Sequence, residues 1–145
     1  MGLQAAWRLT GAGVLLCLGT VLMGQGVAEL SNVISAGALH RRTDPHLSVL
    51  ALALVLVINP VFEELLETGY FVQALQRYGA WVAVGASAAF RAFLHVYQGI
   101  NAIVLIFPLG LIFGYAYWKW RRLWPLLVAH ALLDLWALIP GVHAI

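Results

Sequence analysis

Five apolar runs, separated by short polar or glycine-containing breaks, dominate the chain. The first covers about Leu9 to Leu30, and the polar stretch Ser31–Asp44, with His40-Arg41-Arg42, follows it. The second begins near Leu47 and passes through an acidic motif towards Arg77, with Tyr78-Gly79 as a turn. The third covers about Ala80 to Gln98, and Gly99-Ile100-Asn101 breaks it. The fourth reaches Trp118 and ends at Lys119-Trp120-Arg121-Arg122; the fifth runs from Leu123 to about Ile139, where Pro140-Gly141 stops it. The runs are continuous and do not alternate, so they predict helices, and a transmembrane β-barrel does not fit. No internal repeat or low-complexity segment is visible.

Composition turns those helices into a membrane expectation. Of 145 residues, 63% are hydrophobic and 10% charged, with a mean hydropathy of +0.90. The expected fold is all-α: a single membrane domain over residues 1–145, built as a polytopic bundle of about five transmembrane segments. Arg8, the apolar run Leu9–Met23 and Gly26-Val27-Ala28 also imitate a cleaved secretory signal. A retained first helix is preferred, because further spans follow. The net charge of +2 is small. The basic residues read as topology markers, and nucleic acid is not an expected partner. With the N-terminus inside, Arg8, Arg77, Lys119, Arg121 and Arg122 fall on the inner side, against Arg41 and Arg42 outside. Trp118, Trp120 and Trp124 around the basic loop read as an interfacial belt. Gly110 and Gly114 are spaced for close helix approach. Cys17, the one cysteine, reads as a packing residue.

Against this background the ionisable groups inside apolar runs become the candidate chemistry. They are Glu63, Glu64 and Glu67 in the second run, Arg91 and His95 in the third, and His130 and Asp134 in the fifth. If Gly79 centres an antiparallel hairpin, Glu63 and His95 each lie sixteen residues from it, and Glu67 and Arg91 each lie twelve. At 1.5 Å per residue those levels are about 24 Å and about 18 Å from the turn. The expectation is that Glu67 pairs with Arg91 and Glu63 faces His95, unless the segment after Glu64 bends into the interface, as Pro60 and the polar Gln73, Gln76 and Arg77 permit. Asp134, one helical turn after His130, would orient that imidazole or accept a hydrogen bond from a substrate amide.

This set suits peptide hydrolysis. A carboxylate in a low-dielectric pocket is a stronger base than in water, and takes a proton from a water attacking an amide carbonyl. Imidazoles position the water and stabilise the oxyanion. No serine or cysteine is placed as a nucleophile; Ser87 reads as a small packing residue. Blander alternatives stand beside each element. Glu63-Glu64 could end a helix in solvent, Glu67 and Arg91 could form a purely structural ion pair, and the histidines could be satisfied core groups. His95, His130, Asp134 and Glu63 could instead hold zinc, although no HExxH is present. His40, His46 and His143 lie at segment ends and are expected at solvent or an interface.

At these residues the chain resembles the CPBP family (CAAX proteases and bacteriocin-processing enzymes, also called Abi), and within it the type II CAAX prenyl endopeptidases, intramembrane glutamic proteases. The family pattern is EExxxR, then FxxxH, then HxxxN or HxxxD. The counterparts are Glu63-Glu64-Leu-Leu-Glu67-Thr68, Arg91-Ala-Phe-Leu-His95 followed by Val-Tyr97-Gln98-Gly99, and His130-Ala-Leu-Leu-Asp134. The lead-in Asn59-Pro60 and the Leu123-Trp124-Pro125 before the third motif also fit. The resemblance covers a core of about residues 52–139. It implies that Glu63 activates water beside His95, that His130 and Asp134 stabilise the oxyanion, and that Glu64 supports them. It implies no required cofactor, with zinc as the alternative. Two positions depart from the pattern: Thr68 replaces its arginine, and Arg91 replaces its phenylalanine, as in a subset of bacterial members. Arg91, partnered by Glu67, then supplies from the facing helix the cation that position 68 lacks. Without that compensation, a pseudoenzyme results. The expected function is an intramembrane endopeptidase in a bacterial or archaeal plasma membrane, acting on a peptide or protein substrate, with the lipid bilayer as its other partner. A non-catalytic scaffold or immunity-type protein and a metal-dependent peptidase are the alternatives. The substrate, prenylated or not, stays open.

Overall fold

The computed structural model describes residues 3–34 and 49–138. The basic stretch His40-Arg41-Arg42, His46, the Pro140-Gly141 stop and His143 lie outside the described residues. Among the described residues the fold is all-α. Helix α1 spans Leu3–Ile34 and α2 spans Val49–Glu63; a π-helical turn follows at Glu64–Tyr70, then α3 at Phe71–Leu75 and a 3-10 turn at Gln76–Tyr78. Helix α4 spans Ala80–Leu94, a second 3-10 turn takes Val96–Gln98, α5 spans Ile100–Trp120 and α6 spans Trp124–Leu138. The five apolar runs thus map onto α1, the broken helix from α2 to α3, α4, α5 and α6. Gly79 and Gly99 reverse the chain at φ of 92° and 94°. A side chain is strained there, and glycine is not.

Helices α4 and α5 form an antiparallel pair in van der Waals contact. The expected small-residue seam is present: a Cβ on Gly110 would stand 2.9 Å from Ala88 Cα, and one on Gly114 would stand 3.2 Å from Val84 Cγ1. Helix α1 runs parallel to α6. A Cβ on Gly13 would meet the Pro125 carbonyl at 2.6 Å, and the Trp124 indole N–H donates to Thr10 Oγ1 at 3.1 Å. Phe113, Leu126, Val72 and Cys17 belong to the core between these helices.

A polar cluster is buried beside the apolar core, and large apolar side chains face outward. Glu64, Glu67, Thr68, Ser87, Arg91 and His130 are buried, while Trp7, Leu15, Leu22, Phe62, Trp81 and Phe93 are exposed. In water each exposed apolar group forgoes roughly 25 cal/mol per Å². Among the described residues one helix, Ala102–Trp120, is long and apolar enough to cross a membrane; Trp7–Met23, Ala80–Leu94 and Trp124–Trp136 are apolar but shorter.

Candidate active site

Local backbone chemistry prepares the acidic motif. Pro60 lies inside α2 and has no N–H to give to the carbonyl one turn back, so the ladder is weakened just before Glu63. The next seven residues, Glu64–Tyr70, adopt the π-helical form, whose i→i+5 bonds widen the turn. In an uninterrupted α-helix neighbouring residues stand about 100° apart, and Glu63 and Glu64 would diverge. Across this junction Glu63, Glu64, Glu67 and Thr68 all come within reach of one side chain on α4, that of Arg91.

The Arg91 guanidinium is the centre of the cluster. Its Nη2 donates to Glu64 Oε1 at 2.6 Å and to Thr68 Oγ1 at 3.2 Å. Its Nε lies 3.0 Å from Glu67 Oε2, and its Nη1 lies 3.8 Å from Glu63 Oε2. The guanidinium also stands 5.7 Å from the Phe113 ring centre. The expected Glu67–Arg91 pair is therefore present, and Arg91 reaches Thr68, where the family pattern has its arginine. Glu64 is tied more fully than a supporting role implies. It accepts from Arg91, from the Thr68 hydroxyl at 2.8 Å, and from His130 Nδ1 at 2.8 Å.

That last contact sets the state of His130. An ionised carboxylate only accepts, so His130 carries a proton on Nδ1. Nε2 then faces Glu63 Oε2 at 3.6 Å and Asp134 Oδ1 at 3.7 Å. Phe113 packs edge-on against the same ring, with centres 6.2 Å apart. Glu63 thus stands between Arg91 and His130, with 14% of its side chain exposed, against 0% for Glu64.

The expected pairing of Glu63 with His95 is not formed. Helix α4 ends at Leu94, and His95 turns out of the helix at φ −98°, ψ 6°. Its Nδ1–H donates to the Arg91 carbonyl of its own helix at 2.9 Å, and its ring stacks on Tyr97. Equal spacing from Gly79 assumed that both helices continue. One ends three residues past Arg91, and the other changes pitch after Glu63. Six of the seven candidate residues therefore gather in one cluster, and His95 sits at its rim.

Two contributors escaped sequence reasoning. Ser87, read as packing, donates to the Glu67 carbonyl at 2.5 Å, and so pins the π turn to α4. Its position one helical turn before Arg91 was the available signal. Thr68, read as a missing arginine, both accepts from Arg91 and donates to Glu64. Among the described residues no group of three or more His, Cys, Asp and Glu side chains is arranged to hold a metal ion. The space between Glu63, Glu64 and Glu67 is filled by the Arg91 guanidinium.

Residues 45–136 match the model of the type II CAAX prenyl endopeptidase Rce1-like family. The chain belongs to this family. No curated protein and no solved structure matches it. The type II CAAX prenyl endopeptidase Rce1-like family is a family of proteases, and the matched span holds every residue of the cluster. In this member the guanidinium approaches the paired glutamates from the facing helix, not from their own.

Proposed function

We propose that the chain is an integral membrane endopeptidase in which the Glu63 carboxylate activates water for attack on a peptide carbonyl. The observation that carries this reading is the inequality among the glutamates. Glu64 and Glu67 are sealed against Arg91, whereas Glu63 keeps an accessible edge and faces His130 Nε2. Glu63 takes a proton from the water, and the new C–O bond forms as charge develops on the carbonyl oxygen. His130, held by Glu64 through Nδ1–H and flanked by Asp134, is doubly protonated in this scheme and donates its Nε2–H to that developing charge. Collapse of the intermediate breaks the C–N bond, and Glu63 returns its proton to the departing amine. In this scheme Glu64, Glu67 and Thr68 hold Arg91, and Arg91 holds the acid pair in place. His95 joins the water only if its ring leaves the Arg91 carbonyl and turns towards Glu63.

The bilayer setting rests on the apolar exterior, the buried ionisable cluster and the family match. Gly110 on α5 lies against Arg91 Cδ; a Cβ there would stand 3.4 Å from it. Gly110 is ten residues from either end of α5, which puts this level about 15 Å from each end and near mid-depth of a hydrocarbon core of about 30 Å. The substrate is therefore a peptide segment that enters the membrane or borders it. The Arg91-to-Gly99 sequence resembles bacterial members, and this supports the reading of a bacterial or archaeal plasma membrane enzyme. Water activation by Glu63 needs no metal, because Arg91 already supplies the positive charge between the carboxylates.

Purified wild type, Glu63→Ala and Glu63→Gln, reconstituted in liposomes with candidate membrane peptides, test the proposal. Both variants should insert and fold, and both should lose cleavage. Full cleavage by folded Glu63→Ala would end the reading. A second reading, a non-catalytic scaffold of the same fold, is favoured by the inward turn of His95 onto its own backbone. It predicts that Glu63→Gln, which keeps the hydrogen bonds, preserves the cellular phenotype.

A further inference from the structure

A separate feature lies at one end of the bundle. The Trp124–Thr10 bond sets the start of α6 beside the first turns of α1. The Arg121 guanidinium donates to Gln76 Oε1 at 3.1 Å, which ties the α5–α6 loop to the turn before α4. Arg8, Arg77, Lys119, Arg121 and Arg122 therefore share this end. The chain has six acidic residues, and the carboxylates of the described side chains are Glu63, Glu64, Glu67 and Asp134, all in the cluster at mid-depth. The basic end has no carboxylate of its own among the described side chains.

An apolar cleft opens at the same end between α1 and α5. It has a volume of about 390 Å³ and is lined by Leu16, Ile112, Tyr115 and Ala116, with Lys119 and Trp120 at its mouth. Helix α1, which meets α6 closely at Gly13, forms the other wall through Leu16. That volume falls within the range of ligand sites, roughly 300–1,000 Å³. Two of the neighbouring cations lie over aromatic rings. Arg121 lies over Trp118, 4.8 Å from its ring centre, and Arg77 lies over Tyr78 at 4.7 Å. Lys119 alone of the five lines the cleft.

We infer that this cleft is a binding site for one anionic phospholipid, with an acyl chain between α1 and α5 and the headgroup phosphate on Lys119. The apolar walls match the chain, and the excess positive charge matches the phosphate. A zwitterionic lipid fits the walls but brings its own cation to the basic rim. Trp120 at the mouth occupies the headgroup level, where indoles favour the interface. The inference shares with the proposed function only the membrane setting, and it is independent of the chemistry at Glu63.

The test is lipid binding to the full chain in detergent, read by native mass spectrometry. The probes are phosphatidylglycerol, phosphatidylcholine of the same chains, and the chain-free headgroup glycerophosphoglycerol. Phosphatidylglycerol should bind tighter than phosphatidylcholine, and Lys119→Ala should weaken it about fivefold. Arg77→Ala, at the same end but outside the cleft, should change it less than twofold. Equal affinity for the two lipids would overturn the inference. So would equal losses in Lys119→Ala and Arg77→Ala, which mark diffuse surface attraction. Competition by the chain-free headgroup as strong as that by the intact lipid would also overturn it, since the cleft would then be unused. Lys119 is exposed, so its truncation leaves the fold intact, and a thermal melt verifies this. A chain that stays soluble without detergent would refute the membrane setting, and a bilayer protein without cleavage would refute only the role of Glu63.

Discussion

Arg91→Ala is the perturbation that the structure weighs most heavily. Arg91 is 2% exposed and lies within 4 Å of three carboxylates, of which Glu64 is fully buried and Glu67 nearly so. Removing the guanidinium leaves those carboxylates desolvated and facing one another across a cavity. Breaking a buried ion pair from one side costs about 3–5 kcal/mol. Against a total stability of roughly 5–15 kcal/mol, that loss takes the protein close to its folding margin. The contact with Phe113 is lost as well. Thr68→Arg in the Arg91→Ala background returns a guanidinium to the vacated space from the other helix, because Thr68 Oγ1 already lies 3.2 Å from Arg91 Nη2. Contacting sites couple by about 0.5–3 kcal/mol, so the double variant should regain part of the loss. The assay is denaturant-induced unfolding of the purified protein in mixed micelles, for wild type, both singles and the double variant. Arg77→Ala, on the exposed surface, is the control and should stay within about 0.5 kcal/mol of wild type. If Arg91→Ala unfolds at the same denaturant concentration as wild type, the guanidinium does not hold the carboxylate cluster. If it is destabilised and Thr68→Arg restores nothing, the two positions do not substitute for one another.

Other outcomes follow from the same contacts. Ser87→Ala removes the hydroxyl donor to the Glu67 carbonyl at the π turn and should cost about 1 kcal/mol in the same unfolding assay; a loss below about 0.5 kcal/mol would show that the turn holds without it. Gly110→Val forces a side chain into Ala88 and should destabilise by about 1–3 kcal/mol by overpacking, a shift that a thermal melt would miss only if α4 and α5 separate freely. Cleavage by the reconstituted protein should survive dialysis against a chelator. Activity lost on chelation and restored by stoichiometric zinc would replace the carboxylate mechanism with a metal-centred one.

Much of the site could be read from spacing. The all-α architecture followed from unbroken apolar runs, since a continuous run has no two-residue alternation to form one face of a sheet. Gly79 and Gly99 announced the reversals, because a hairpin turn there needs positive φ. The Glu67–Arg91 pair followed from equal distances to Gly79.

The remainder depended on tertiary contacts. Glu64 ranked below Glu63 in the sequence, yet it is Glu64 that Arg91, Thr68 and His130 all grip. The reason is a π turn that rotates the second glutamate inward, and its stability comes from Ser87 and Arg91 on another helix. His95 shared a helical face with Arg91 on paper, but α4 stops at Leu94 and the imidazole bonds back to its own chain. Local sequence determined which residues carry charge into an apolar chain and roughly how deep they lie. Which carboxylate is sealed and which keeps an open edge was decided by packing, because burial and hydrogen-bond partners belong to the facing helices, not to the segment that bears the acid.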